Sequence, residues 1–431
     1  MSKWRKEPIG KLAETYSGGT PSRARDDYFK GIIPWISSGE VNFPNISDTK
    51  EKITQEALEN SSARWIPKNS VLVAMYGATA GVVSKLLIDA TSNQAVLALI
   101  PKKQLIDVDF LYHQVKENKQ AILYLAQGSG QPNLSKDLIA NFEINVPYSV
   151  MEQQKIAQIL NTADTVIEKT QTTIAKYKAI KQGMLNDLFT RGIDVKTGKL
   201  RPKQEDAPEL YKESELGWIP KEWDMKKLGC IGEFKNGVNK DKLSFGHGTL
   251  FVNIGDAYHE VLDCSTLDRV LVNNSEIQQY SLINGDIIFV RSSVKPDGVG
   301  YNTLFLDFNQ DVVFCGFMIR FRLNDKLKYN PEFYNSYFRY IEFRRRLLCV
   351  STVSANTNVN QVALSGLLAI KPSDKEQLEI TKRLTTINKK IETEQTYLLK
   401  LQQIKSGLMA DLLSGRKIVS VPAAIAMQTE N

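Results

Sequence analysis

The sequence predicts an α+β chain with internal duplication. Two tandem β-rich modules are each followed by a long helix, and the two helices pack as an antiparallel coiled coil about an internal pseudo-twofold axis. Three observations carry this reading. A helical segment recurs without a gap 224 residues downstream. The modules preceding the two segments also recur, with small drifts in spacing. Both modules are rich in short β-branched runs bounded by Gly, Asn, Ser and Pro.

The helical repeat is the tighter one. Glu152-Gln153 matches Glu376-Gln377, and the same spacing matches Ile156 with Ile380, Leu160 with Leu384, Ile167 with Ile391, Lys181 with Lys405, Gly183 with Gly407, Asp187 with Asp411 and Leu188 with Leu412. Apolar residues follow at Ile156, Leu160, Ala163, Ile167, Ile174, Tyr177, Met184 and Leu188, then again at Ile380, Leu384, Ile387, Ile391, Leu398, Leu401, Leu408 and Leu412. Steps that alternate between three and four give a narrow seam, the mark of a coiled coil. Neither run contains an internal proline. A helix of about 38 residues extends about 57 Å, too long to be buried in one small domain. Seams in register with each other are expected to pair.

Module one covers residues 1–148, with strands expected at Ser70–Met75, Gly81–Ile88 and Ala95–Ile100. Its helix follows over 149–190. Residues 191–216, rich in charged residues, Pro and Gly, read as an exposed linker. Module two covers 217–372, with strands expected at Asp286–Arg291, Asn302–Leu306 and Cys315–Leu323 and its helix over 373–416; residues 417–431 read as a poorly ordered tail. A short helix in each module carries Phe110-Leu111-Tyr112 and Phe333-Tyr334-Asn335. Trp4, Ile9, Gly10 and Gly18 match Trp223, Leu228, Gly229 and Gly237. Pro34–Glu40 resembles Leu250–Asp256, and Pro67–Val73 resembles Ile283–Phe289. The drifting spacing places insertions in the loops, so the modules share a frame and differ in surface.

Composition excludes several classes. With 42% hydrophobic and 24% charged residues the chain is neither disordered nor fibrous. No apolar run approaches the roughly 20 residues of a membrane span, and Met1 to Lys6 lead into no secretory core, so a cytoplasmic location without membrane association is expected. Cys230, Cys264, Cys315 and Cys349 form no C-x-x-C pair, and with His113, His247 and His259 as the only histidines no zinc spacing exists. No phosphate-cradling G-x-G-x-x-G or Walker loop, no H-E-x-x-H and no G-x-S-x-G occurs. Asn330-Pro331-Glu332-Phe333 reads as a helix start with proline in the first turn. No catalytic residue and no metal ligand is expected. The net charge of +7 is compatible with a polyanion partner.

Polar, glycine-rich loops with basic residues recur at matched places. Module one offers Ser17, Gly18, Thr20, Ser22, Arg23, Arg25, Ser37, Ser38, Tyr76, Thr79 and Gln131. Module two offers Lys235, Asn236, Asn239, Lys240, Asn253, Arg291, Ser292 and Lys295. Arg and Lys meet phosphates or guanine edges, Asn and Gln pair with adenine edges, and glycine permits close backbone approach. A further cluster, Arg339, Arg344, Arg345 and Arg346 with Tyr340 and Phe343, reads either as a solvated helix face or as a phosphate contact.

Three motifs, two of them repeated, then carry a resemblance. They are Ser214-Glu215-Leu216-Gly217-Trp218-Ile219-Pro220-Lys221-Glu222-Trp223, the Pro-x(4)-Glu-Gln entry from Pro147 to Gln153 echoed from Pro372 to Gln377, and the Lys-x-Gly-(Met/Leu)-x-x-Asp-Leu exit at Lys181 to Leu188 and Lys405 to Leu412. In this order the chain resembles, over nearly its whole length, the DNA-specificity subunits of type I restriction–modification enzymes. The resemblance implies two target recognition domains that each read half of a split, asymmetric site in double-stranded DNA. It implies that the helices are spacers that set the gap and dock modification subunits. Those partners would carry S-adenosylmethionine and methylate adenine, and motor–nuclease restriction subunits would use ATP and magnesium. This chain would hold no cofactor. The competing reading is a coiled-coil scaffold that binds proteins and reads no bases.

Overall fold

The structure is a computed structural model that describes residues 4–126, 133–306, 308–353 and 357–419. Its contacts divide the chain into two compact units, residues 1–172 with 395–431, and residues 173–394. Each unit therefore holds one module, the first part of the helix that follows it and the last part of the other helix.

The first unit begins with β1 (Trp4–Pro8), β2 (Ala13–Ser17), β3 (Ile33–Ile36), β4 (Glu51–Ile53), β5 (Val71–Ala74), β6 (Val83–Leu86), β7 (Thr91–Ser92) and β8 (Val96–Pro101). Then come α1 (Val108–Glu117), β9 (Glu143–Pro147) and the long α2 (Val150–Thr190). The main sheet has the order β2-β8-β5-β6, extended by Asn45–Ile46. A smaller sheet has the order β4-β3-β7, and β1 pairs with β9 at the entrance to α2. The central strands are apolar throughout because both faces are covered. Val71, Val73, Leu97 and Leu99 face one core, and Leu72, Ala74, Val96 and Ala98 face the other, as the period of two requires. The first core also takes Phe110 from α1, Ile156 and Leu160 from α2, and Met409, Leu412 and Leu413 from the end of the second long helix.

The second unit repeats this with β10 (Asp224–Lys227), β11 (Gly232–Asn236), β12 (Phe245–Val252), β13 (Asp268–Val270), β14 (Ile287–Val290), β15 (Asn302–Leu304), β16 (Val312–Phe314) and β17 (Met318–Leu323). It continues with α3 (Pro331–Phe338), α4 (Ile341–Cys349), β18 (Leu368–Lys371) and the long α5 (Asp374–Leu412). The registers are the same, pair for pair. Val71 faces Leu99 as Ile287 faces Phe321, Val73 faces Val83 as Phe289 faces Asn302, and Ile36 lies parallel to Ser92 as Val252 does to Phe314. Ile287, Phe289, Ile319 and Phe321 share a core with Phe333 and Tyr337 of α3, Ile380 and Leu384 of α5, and Leu185, Leu188 and Phe189 of α2. Phe189 meets Phe333 and Tyr337 edge-on at 5.6 and 5.3 Å. The expected mixed architecture with two repeated domains is thus present. The expected run Cys315–Leu323 is interrupted, because a turn in which Met318 N–H donates to the Cys315 carbonyl at 3.0 Å separates β16 from β17.

The Glu-Gln entry motif locks each helix to its module. Gln153 accepts from the Asp107 N–H at 2.8 Å and donates to the carbonyls of Leu105 and Pro147, both at 3.0 Å. Gln377 does the same, accepting from Asn330 N–H at 2.8 Å and donating to Lys328 and Pro372 carbonyls at 3.1 and 2.9 Å. Asp107 and Asn330 are in turn the N-caps of α1 and α3, with Pro331 in the first turn as expected.

The segment after α2 is mostly exposed, as expected of a linker, but is anchored at several points. Gly192 turns the chain at φ +63°, Ile193–Asp194 pairs with Lys199–Leu200, and Arg201 is 6% exposed. Arg201 donates to Glu376 at 2.5 and 3.1 Å, and to Glu222 at 2.8 Å. Trp223 Nε1 and the Ile193 N–H complete the shell of Glu376 at 2.9 and 2.8 Å. A carboxylate buried at the start of α5 needs this many donors, and the linker supplies them. The expected Gln131 contact and the tail beyond 419 lie outside the described residues.

Candidate nucleic-acid interface

Four turns meet at one end of the first unit's sheets: the segment after β2, the turns after β3 and β5, and the connection from β7 to β8. Backbone bonds tie them together. Gly19 N–H donates to Ser92 at 2.8 Å, Asn93 N–H to Ile36 at 2.9 Å and Met75 N–H to Ala95 at 2.8 Å. The second unit repeats the junction, with Arg291 N–H donating to Phe317 at 2.8 Å and Cys315 N–H to Val252 at 3.0 Å. The described candidate residues lie on or next to the segments that these junctions join.

Several of them are occupied structurally. Ser17 ends β2, and a Cβ on Gly18 would lie 2.2 Å from the Ser92 carbonyl. Glycine is required there by the crossing of two chain segments, as at Gly237, where a Cβ would lie 2.2 Å from the Phe314 carbonyl. Ser37 and Asn253 are equivalent N-caps whose boxes are closed by Glu40 and Asp256. Ser38 sits beside the first of them, half-buried. Thr20 donates to the Gln94 side chain. Arg23 grips Glu51 at 2.6 and 2.9 Å and lies 4.1 Å from the Phe29 ring. Hydrogen bonding holds the Arg23 guanidinium above its usual range and the Glu51 carboxyl below its own. Arg25 bonds Asp27 at 2.8 Å and Glu56 at 3.2 Å, and Lys240 bonds Glu276 at 2.7 Å.

Others are open. Ser22 is exposed, Tyr76 is 42% exposed, and Thr79 donates to the Tyr76 carbonyl at 3.4 Å. Lys235 and Asn236 end β11, with the Lys235 ammonium 5.1 Å from the Tyr280 ring, and the Asn239 side chain covers Gly316. Ser292 pairs with Asn358 in a small extra sheet. Among the described residues Arg291 and Lys295 form no ion pair. The loop from Arg291 borders an open cleft of about 650 Å³ lined by Tyr258, Val294, Tyr301 and Phe317. Sequence reasoning missed these apolar residues because it searched the loops for charge and glycine. Comparing the two repeats position by position is the signal that finds them.

In the arginine cluster at the end of α3 and on α4, every member but Arg345 is spent on internal acceptors. Arg339 donates to the carbonyls of His259 and Asn302, Arg344 to those of Val299 and Asp297, and Arg346 to the Tyr337 hydroxyl. Burial depresses the Arg339 and Arg344 values. Arg339 thus ties the end of α3 to β15 and the turn after β12, Arg344 ties α4 to the loop after β14, and Arg346 ties α4 to α3, whereas Arg345, paired with Glu342 at 2.8 Å, faces solvent.

Residues 1–178 and 220–403 match the family model described as the type I restriction modification DNA specificity domain. The chain belongs to this family. It is 32% identical over 167 residues to the EcoR124I/EcoR124II type I restriction enzyme specificity subunit of Escherichia coli, a match spanning 37% of this chain and 40% of that one. A specificity-family relative matched nearly end to end is the MjaVIII type I restriction enzyme specificity subunit of Methanocaldococcus jannaschii. It is 23% identical over 426 residues, covering 96% of this chain and 92% of the relative. The S subunit of a type I restriction-modification system from M. genitalium shares the fold with a TM-score of 0.57 at 14% identity, over 96% of each chain. Among the described residues no helix of this specificity-domain protein is long and apolar enough to cross a membrane.

Proposed function

We propose that the chain is the non-catalytic specificity subunit of a type I restriction–modification complex and reads a two-part, asymmetric site in double-stranded DNA. One observation carries this. The family match falls on both repeats, and both repeats present equivalent turn clusters, tied by equivalent backbone bonds, with different side chains. Two frames with different surfaces suit two different half-sites.

The two long helices form the spacer, and we read them as an antiparallel coiled coil about a pseudo-twofold axis. Support comes from equivalent polar contacts within each unit. In the first, Lys405 of α5 pairs with Asp164 of α2. In the second, Lys181 of α2 pairs with Glu260, which also accepts from Asn388 of α5 at 2.7 Å. Lys181 and Lys405, like Asp164 and Asn388, stand at the repeat spacing of 224. On this reading the helices dock modification subunits, which supply S-adenosylmethionine, and restriction subunits, which supply ATP and magnesium chemistry, while this chain holds no cofactor.

The test against a scaffold without base readout uses the unpaired cations. Arg291→Ala with Lys295→Ala removes two charges that form no ion pair among the described residues. In the reconstituted complex the double variant is expected to weaken DNA binding for all sequences and to lower the salt slope by about two. Unchanged affinity and slope would favour the scaffold.

A further inference from the structure

The two turn clusters share a backbone frame but not a chemistry. The cleft in the second unit is walled by Tyr258, Ile254, Val294 and Phe317. Val294 and Phe317 stand 83% and 59% exposed at the tips of adjacent turns. Their counterparts in the first unit are small or polar. Phe317 accepts from Arg291 as Ala95 accepts from Met75, so Phe317 stands where the first unit has Ala95. The capping turns align Ile254 with Ser38 and Tyr258 with Asn42. Val294, the third residue after Arg291, stands where Ala78 follows Met75. Ile254 packs on the core and the Tyr258 ring lies 5.4 Å from Tyr301, so these two form a fixed base from which Val294 and Phe317 project into solvent, and exposed apolar patches of this kind mark contact surfaces.

The charges around it define the partner. In the first unit Arg23 and Arg25 are spent on Glu51, Asp27 and Glu56, and in the second unit Lys240 is spent on Glu276. Beside the cleft, Arg291 and Lys295 have no ion pair among the described residues, and Asp297 is the carboxylate on its lining. Free cations flanking an apolar patch fit a polyanion that displays an apolar group in an accessible groove. Duplex DNA does so through the C5-methyl of thymine in the major groove.

We infer that the second unit reads its half-site by apolar contact of Phe317 and Val294 with thymine methyl groups. This rests on the DNA-reading function proposed above. Tyr258 and Ile254 form the floor that excludes water from the contact, and Arg291 and Lys295 hold the flanking phosphates.

The experiment takes the sequence selected from random duplexes by the chain reconstituted with its modification subunits and replaces each thymine in turn by deoxyuridine, which removes only the methyl. In one half-site at least one replacement is expected to weaken binding about fourfold, the factor for one buried CH₂. The double variant Phe317→Ala, Val294→Ala loses that discrimination. Base preference in the other half stays unchanged in the variant, which shows that the complex is folded and assembled. The inference is overturned if no thymine is sensitive, or if the sensitivity survives in the double variant. Failure to select any two-part sequence would overturn the proposed function itself, and selection without uracil sensitivity overturns only this inference.

Discussion

Arg201 and Glu376 show how much of this structure rests on single buried groups. Both are nearly inaccessible, 6% and 2% exposed, and the carboxylate takes bonds from the guanidinium, an indole and a backbone N–H. Arg201→Ala leaves a buried carboxylate short of its cation, a change expected to cost about 3–5 kcal/mol, read as a lower denaturant midpoint for the second unit. His113 supplies a pH effect. Burial pushes its imidazole down to about 4, from the usual 6.5. Between those values the unfolded chain binds a proton that the folded chain refuses, so stability is full above pH 6.5 and falls as pH drops towards 4, by about 3 kcal/mol in total. Denaturant melts across this window check the slope, and His113→Gln should make it shallower. At this scale the sequence was only partly legible. The Gln153 and Gln377 motif was visible as a repeat, but its role depends on carbonyls at Leu105 and Lys328 that lie far away in sequence. Arg201 sits in a polar stretch whose composition looks like any solvated linker. Arg23 and Lys240 carry their charge openly in the sequence, yet their partners are separated from them by folding.

The elements were far easier to read. A seam spaced by threes and fours over α2 and α5 follows from helix geometry alone, and strands such as β5 and β14 announce themselves as short apolar runs. The sequence could not show which module each helix end serves. Met409, Leu412 and Leu413 belong to the core of the first unit, although the chain reaches them last. A chain truncated after Glu394 is therefore expected to lose roughly 1.5–3 kcal/mol for each of these side chains. Its first unit should melt early while the second keeps its own transition, and calorimetry separates the two. The reading turns were legible as loops but not as surfaces. Val294 and Phe317 look like core residues in sequence, and only the aligned frame with Ala78 and Ala95 shows that they stand outside it.

For the whole molecule, duplication was the most legible property and the target the least. The repeat follows from aligned residues, whereas on the proposed reading the bases recognised depend on a few side chains at turn tips. If the helices act as a spacer, matched heptads inserted after Thr170 and after Glu394 lengthen it by about 10 Å, or about three base pairs of the roughly 34 Å turn. The gap between the recognised halves should grow by that amount while the bases stay the same. Selection of bound DNA from random duplexes by the reconstituted complex tests the central claim most directly. The account predicts two short, different motifs separated by a fixed unspecified gap. One contiguous motif, or no enrichment at all, would contradict it.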